Sequence, residues 1–189
     1  MQSLDPIARA PCALRRGQAP AQPVLHGAIV AIICRDTHDL ELNDAQRLFH
    51  FPASPLACLF WYRGCDVGLV EGSTHRPLWK PFDRAVTLCG SQSVPATSWA
   101  ATSGRGCIVY FAADAAQALF DLDLSAVHDR PLRARELLRE TWLPLIEALL
   151  RTNNDAATLA TLEQHLAPRW QTLQHHRSTI SSLRRSDRR

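Results

Sequence analysis

The stretch that decides how this chain folds is LFHFPASPLACLFWYRG, residues 48–64. Two apolar runs flank a PASP turn, and Arg63 and Gly64 close the second run. Either the runs form a core strand pair or they form the wall of a ligand pocket. Residues of both parities along ACLFWYR (57–63) are apolar, so that strand is covered on both faces. One face suits a lumen and the other suits a layer of helices.

Similar short segments surround this pair. GAIVAIICR (27–35), QRLFHF (46–51), DVGLVEG (66–72), RAVTLCG (84–90), ATSWAAT (96–102) and GCIVYF (106–111) are rich in Val, Ile, Phe, Trp and Cys and are divided by turn residues. No helix-length periodic segment interrupts them, which argues against βαβ units. The expectation is an antiparallel sandwich or barrel over residues 25–112. SGRG (103–106) reads as a hairpin turn.

After Phe111 the pattern changes. DAAQALF (114–120) is a helix that Asp114 can cap. Trp142, Leu145, Ile146 and Leu149 recur at helical spacing within 141–151, with Pro144 tolerable in the first turn. Asn154 or Asp155 then caps a helix carrying Leu159, Leu162 and Leu166, which stops or kinks at Pro168. The fold class is therefore α+β, with a helical hairpin over 113–168 and a possible third helix behind it. Leu159, Leu162, Leu166, Trp170, Leu173 and Ile180 are candidate dimerisation residues, those from Leu166 onward following coiled-coil steps. A frayed amphipathic tail is the competing reading. Residues 1–24, with four prolines, read as an arm.

The 189 residues carry a net charge of +3. Six Arg and one Asp after Pro168 contribute +5, so the preceding 168 residues, with 15 basic and 17 acidic side chains, carry −2. The main body holds no cationic excess for a phosphate backbone. The basic tail is confined to 169–189. No run is long and apolar enough to span a bilayer, and a soluble, cytoplasmic protein without membrane contact is expected. None of the six cysteines has CxxC spacing, and free buried thiols are expected.

No catalytic motif emerges. HxH, GxSxG, GxGxxG and GxxxxGK are all missing, and no catalytic residue, metal or cofactor is expected. The acid pair Glu41 and Asp44 reads as solvated carboxylates. His50 is the best-placed histidine, opposite Phe49 and Phe51 by strand alternation. His50, Trp61, Arg63, Trp79, Trp99 and Tyr110 are the candidate ligand-binding residues. Arg63, with Arg47, Lys80 or Arg84, suits an anionic group at a cavity mouth; for any one of them, a surface arginine or lysine whose stem shields apolar area is the plainer reading.

Three stretches carry a resemblance to a known family. They are RLFHFPASPLACLFWYRG, LCGSQSVPATSW with Gly90, Gln92 and Pro95, and GCIVYFAADAAQALFDLDLSAVHDRPL with Leu124, Ser125, Asp129 and Arg130. In this order they resemble the N-terminal sensory region of AraC-type bacterial transcriptional regulators, in the branch with a degenerate cupin-like barrel. The match covers about residues 25–168. It departs from the family at Ala112–Ala113–Asp114, where a Pro-Gly-type turn is usual, and it lacks the cupin metal motif. The resemblance implies a non-enzymatic sensing and dimerisation unit with a small-molecule effector and a homodimeric state. It reaches DNA only through a helix-turn-helix domain that this chain does not contain. A stand-alone cupin-like binding protein or metal-dependent enzyme is one alternative. A reader-less dimerisation partner of a full-length regulator is another.

Overall fold

The structure is a computed structural model, and it describes residues 23–73 and 76–186. The chain lays down β1 (Ile29–Asp36), β2 (Leu48–Phe51), β3 (Ala57–Arg63), β4 (Val67–Ser73), β5 (Arg76–Pro81), β6 (Thr87–Cys89), β7 (Ala96–Ala100) and β8 (Arg105–Phe111). There follow α1 (Ala113–Phe120), β9 (Leu132–Arg133), α2 (Ala134–Leu137), α3 (Leu143–Arg151) and α4 (Asp155–Ser186). Single 3-10 turns fill several of the connections. The α+β class is as expected.

The strands form two antiparallel sheets. One has the order β1-β8-β3-β6-β9 and the other β2-β7-β4-β5. They are separate sheets and do not close into a barrel, which corrects the barrel half of the expectation. The two apolar runs of residues 48–64 do not pair with each other, because β2 and β3 lie in different sheets. The PASP segment carries the chain across, pinned where Ser54 and Gln92 exchange two backbone hydrogen bonds of 2.9 and 2.8 Å. SGRG is likewise a crossing and not a hairpin turn, since β7 and β8 belong to different sheets. Thr37 holds that crossing by bonding both the amide and the carbonyl of Gly104.

The pleat divides the labour of the central strands. On β3, Ala57, Leu59 and Trp61 join the main core, while Cys58 and Phe60 face the other way. On β8, Cys107, Val109 and Phe111 join that core, and Ile108 and Tyr110 face the opposite sheet. The helices complete the main core from outside, with Leu119, Phe120, Leu145, Leu149, Leu162 and Leu166 all 2% exposed or less. The largest hydrophobic mass thus sits between the first sheet and the helices.

Three local expectations change. The N-cap of α1 is Ala112, and Asp114 lies in the first turn. The helix does not stop at Pro168; α4 runs through it for 32 residues. Burial overrides the missing N–H there, because Leu162 and Leu166 before Pro168 and Trp170 after it occupy one core face. The Trp170 indole also donates to the His26 carbonyl at 3.1 Å. Finally, Cys34 and Cys107 are register partners on β1 and β8 and are joined as a disulfide, so only Cys58, Cys65 and Cys89 among the described cysteines are free. No described helix is long and apolar enough to cross a membrane.

Candidate functional site

The space between the two sheets is not filled by side chains. A cavity of about 390 Å³ lies at the edge where β1 faces β2, in the size range of small-ligand pockets. Ile33 and Arg35 come from β1, Phe49 and Phe51 from β2, and Tyr62, Ile108 and Tyr110 from the middle of the first sheet. A second cavity of about 310 Å³ adjoins it, lined by Cys58, Phe60, Phe82, Cys89, Glu71 and Asp129. Phe51, Tyr62 and Ile108 line both, so the two spaces are neighbours across one aromatic and aliphatic partition.

Why the floor is open follows from Gly106. A Cβ at this position would stand 2.9 Å from the Tyr62 ring, so any larger residue would displace it. The missing side chain lets the Tyr62 ring lie across β8 and leaves room above it. Tyr62 then stacks with Phe82 and tilts against Phe60. Burial pushes the Tyr62 phenol up and the Tyr110 phenol up to about 12. Both therefore stay neutral at ordinary pH and serve as hydrogen-bonding groups. Among the described residues, neither hydroxyl meets a protein partner.

The larger cavity is electrostatically one-sided. Arg35 and Arg47 line it, and among the described residues no Asp or Glu does. Strand alternation sets Arg35 on the same face as Ile33, looking across to the other sheet. Its guanidinium sits 4.5 Å from the centre of the Phe49 ring and donates to the Gln46 carbonyl at 3.1 Å. Arg47 donates to the carbonyls of Leu42, Ala100 and Ala101, which fixes the loop entering β2. Neither arginine forms an ion pair among the described residues.

The smaller cavity has a different chemistry. Cys58 and Cys89 are register partners on β3 and β6, buried together beside Phe60. The thiol contact with Cys89, reinforced by burial, pushes the Cys58 thiol up, which makes it a poor nucleophile. Asp129 borders this cavity with a left-handed backbone, φ 53°. Its carboxylate accepts from the Ser93 amide and hydroxyl, and these donors hold it below the usual carboxylate range. Among the described residues, no three His, Cys, Asp or Glu side chains converge in a way that could hold a metal ion.

The candidates read from the sequence scatter. Tyr110 faces the larger cavity, and His50 also borders it, with its imidazole 3.1 Å from the Thr97 hydroxyl. Trp61 is 2% exposed in the core against the helices and lines neither cavity. Arg63 turns to the helices as well, donating to the carbonyls of Arg151 and Thr152 at the end of α3. Trp79 and Trp99 meet edge to face, the Trp79 indole donating to the Trp99 carbonyl at 3.2 Å, and neither lines either of these two cavities. Of the other cations named with Arg63, only Arg47 lines one of these two cavities; Lys80 pairs with Glu71, and Arg84 with Asp66.

For the dimerisation candidates, Leu162 and Leu166 are fully buried in the chain's own core and Trp170 is 3% exposed there. Leu159 is half-buried, and Leu173 is half-buried against the same core. The Ile180 side chain lies outside the described residues, as do the arm before Pro23 and His75. Arg35 is the cavity residue that sequence reasoning missed. The signal for it was the parity it shares with Ile33, which separates it from the neighbouring Cys34.

No family model matches the chain, and no curated protein or solved structure matches it either.

Proposed function

We propose that this chain is a small-molecule sensing unit of the AraC-regulator type, holding its effector between the two sheets and passing the signal to the helices. The observation that carries the proposal is the pair of adjoining cavities separated by Phe51, Tyr62 and Ile108. Two of the strands that floor them, β3 and β8, back directly onto the helical core with their alternate residues. A guest that shifts Ile108 or Tyr62 therefore acts on Val109, Trp61 and the helices through a single strand's thickness.

The family reading draws support from how its three stretches meet. Ser54 pairs with Gln92, the Gly90 amide donates to the Val127 carbonyl, and Asp129 accepts from Ser93. A side chain at position 90 would meet the carbonyls of Leu124 and Val127 at 2.9 and 3.0 Å, so glycine is needed for that close approach. In this reading the effector shifts a population between two placements of α3 and α4, and DNA-binding units attached to such sensors respond to the shift.

Two links join the first sheet to the helical hairpin. Arg63 ends on the last carbonyls of α3, and buried Arg105 at the start of β8 pairs with Asp155 in the first turn of α4. Hydrogen exchange tests the coupling, using the neutral apolar probe N-phenylnaphthylamine at saturation. The sensor reading predicts slowed exchange in β1, β3 and β8 together with altered exchange in α3 and the start of α4. Protection confined to the strands would make the chain a passive binding protein and refute the signalling role.

A further inference from the structure

We infer that the larger cavity is built for an organic anion: an apolar body with one anionic headgroup, the headgroup lodged at Arg35. The inference rests on the sensing role proposed above and specifies the chemical class of the guest. Positive charge at this cavity goes unanswered. Two guanidinium groups line a space walled by Phe49, Phe51, Ile33 and Ile108, and among the described residues no carboxylate lines it. Both arginines are half-buried, so water answers their charge in part and neighbouring groups answer the rest. At several other arginines a carboxylate does so: Arg84 pairs with Asp66, Arg105 with Asp155, Arg133 with Asp83 and Arg139 with Asp121. Arg63 and Arg169 meet carbonyls and, among the described residues, no carboxylate. At the cavity the answer is left to carbonyl oxygens and the face of one ring.

The two arginines divide the task. Arg47 commits Nε and Nη1 to three backbone carbonyls and is a fixture of the loop. Arg35 spends one amino group on the Gln46 carbonyl and is steadied over Phe49, which leaves guanidinium donors for a guest. A planar fork of this kind matches a carboxylate, sulfonate or phosphate headgroup with two parallel hydrogen bonds. The unpartnered phenol of Tyr110 lines the same cavity and can donate to a second oxygen. The remaining walls suit an aromatic or branched aliphatic body. A neutral guest of the same shape gains the apolar contacts and forfeits the ion pair.

The test compares two probes that share one skeleton: anilinonaphthalene sulfonate, which is anionic, and N-phenylnaphthylamine, which is neutral. Fluorescence titrations of the full chain give both Kd values, and the Ile108→Trp and Ile33→Trp variants, checked for folding by circular dichroism, locate the site. The inference predicts about tenfold tighter binding of the sulfonate, about 1.4 kcal/mol. Arg35→Met should erase that preference while leaving the neutral probe's Kd within a factor of two. Equal binding of both probes, or an Arg35→Met variant that keeps the preference, overturns the anion assignment and leaves the cavity's sensing role standing. Probe binding that survives in both folded tryptophan variants lies outside the cavity and overturns both.

Discussion

Removing the Asp155 carboxylate is the most informative structural perturbation, because it strands a buried cation at the joint between sheet and helices. The Arg105 side chain is 8% exposed, whereas that of Asp155 is 54% exposed. Asp36 is the next carboxylate, 4.0 Å away, and among the described residues the Arg105 Nε has no partner. Breaking a fully buried pair costs about 3–5 kcal/mol; the half-open position of Asp155 lowers that to about 2 kcal/mol. Loss of a first-turn acid at the α4 N-terminus is included in this figure and contributes a few tenths. With a urea slope of about 2 kcal/mol per molar, Asp155→Ala should lower the unfolding midpoint by about 1 M. Arg105→Met removes the charge together with its need for a partner. The double variant should therefore be no less stable than Asp155→Ala alone, and the cycle should give a coupling of about 1–2 kcal/mol. A midpoint change under about 0.2 M for Asp155→Ala, or strict additivity in the cycle, would refute the reasoning.

Arg63→Ala removes two hydrogen bonds to the end of α3 and should cost about 1 kcal/mol in urea melts while leaving probe affinity unchanged; a binding defect at unchanged stability would contradict its placement. Asp129 has a folded pKa below its unfolded one, so its contribution is complete above about pH 4 and is lost as the pH falls through the lower, folded value. Asp129→Asn should therefore flatten the acid side of a stability–pH curve, and an unchanged slope would show that the Ser93 contacts carry no linkage. Leu162→Ala, at a fully buried position, should cost about 2–5 kcal/mol by calorimetry; a cost under about 1 kcal/mol would place α4 off the core. Peptide mapping without reductant should recover Cys34 linked to Cys107 and leave Cys58, Cys65 and Cys89 open to alkylation after denaturation. Full alkylation of Cys34 and Cys107 under those conditions would contradict the bridge.

What could be read from the sequence follows physical lines. β3 matched its expected span because apolar residues of both parities, bounded by turn residues, suit a strand covered on two faces. β5 escaped notice because RPLWKP holds two prolines, which argue against a strand until one knows that it lies at a sheet edge, where a missing N–H costs little. Strand pairing was the deeper gap. Whether Trp79 and Trp99 look inward depends on which strands neighbour them, and nothing local encodes that. The same gap hid the Cys34–Cys107 bridge, whose partners are 73 positions apart and become adjacent only through the β1–β8 register. Aromatic content pointed equally to Tyr110, which lines the larger cavity, and to Trp61, whose parity on β3 turns it to the helices. Arg63 and Arg35 were indistinguishable as strand arginines; one caps a helix, and the other faces the cavity.

The central claim is that the gap between the sheets admits a guest, and one titration addresses it directly. N-phenylnaphthylamine is added to the wild-type chain and to Ile108→Trp, in which an indole is placed between the two cavities. The account predicts a single saturable site in the wild-type chain and none in the folded variant. Equal saturable binding by both would contradict it.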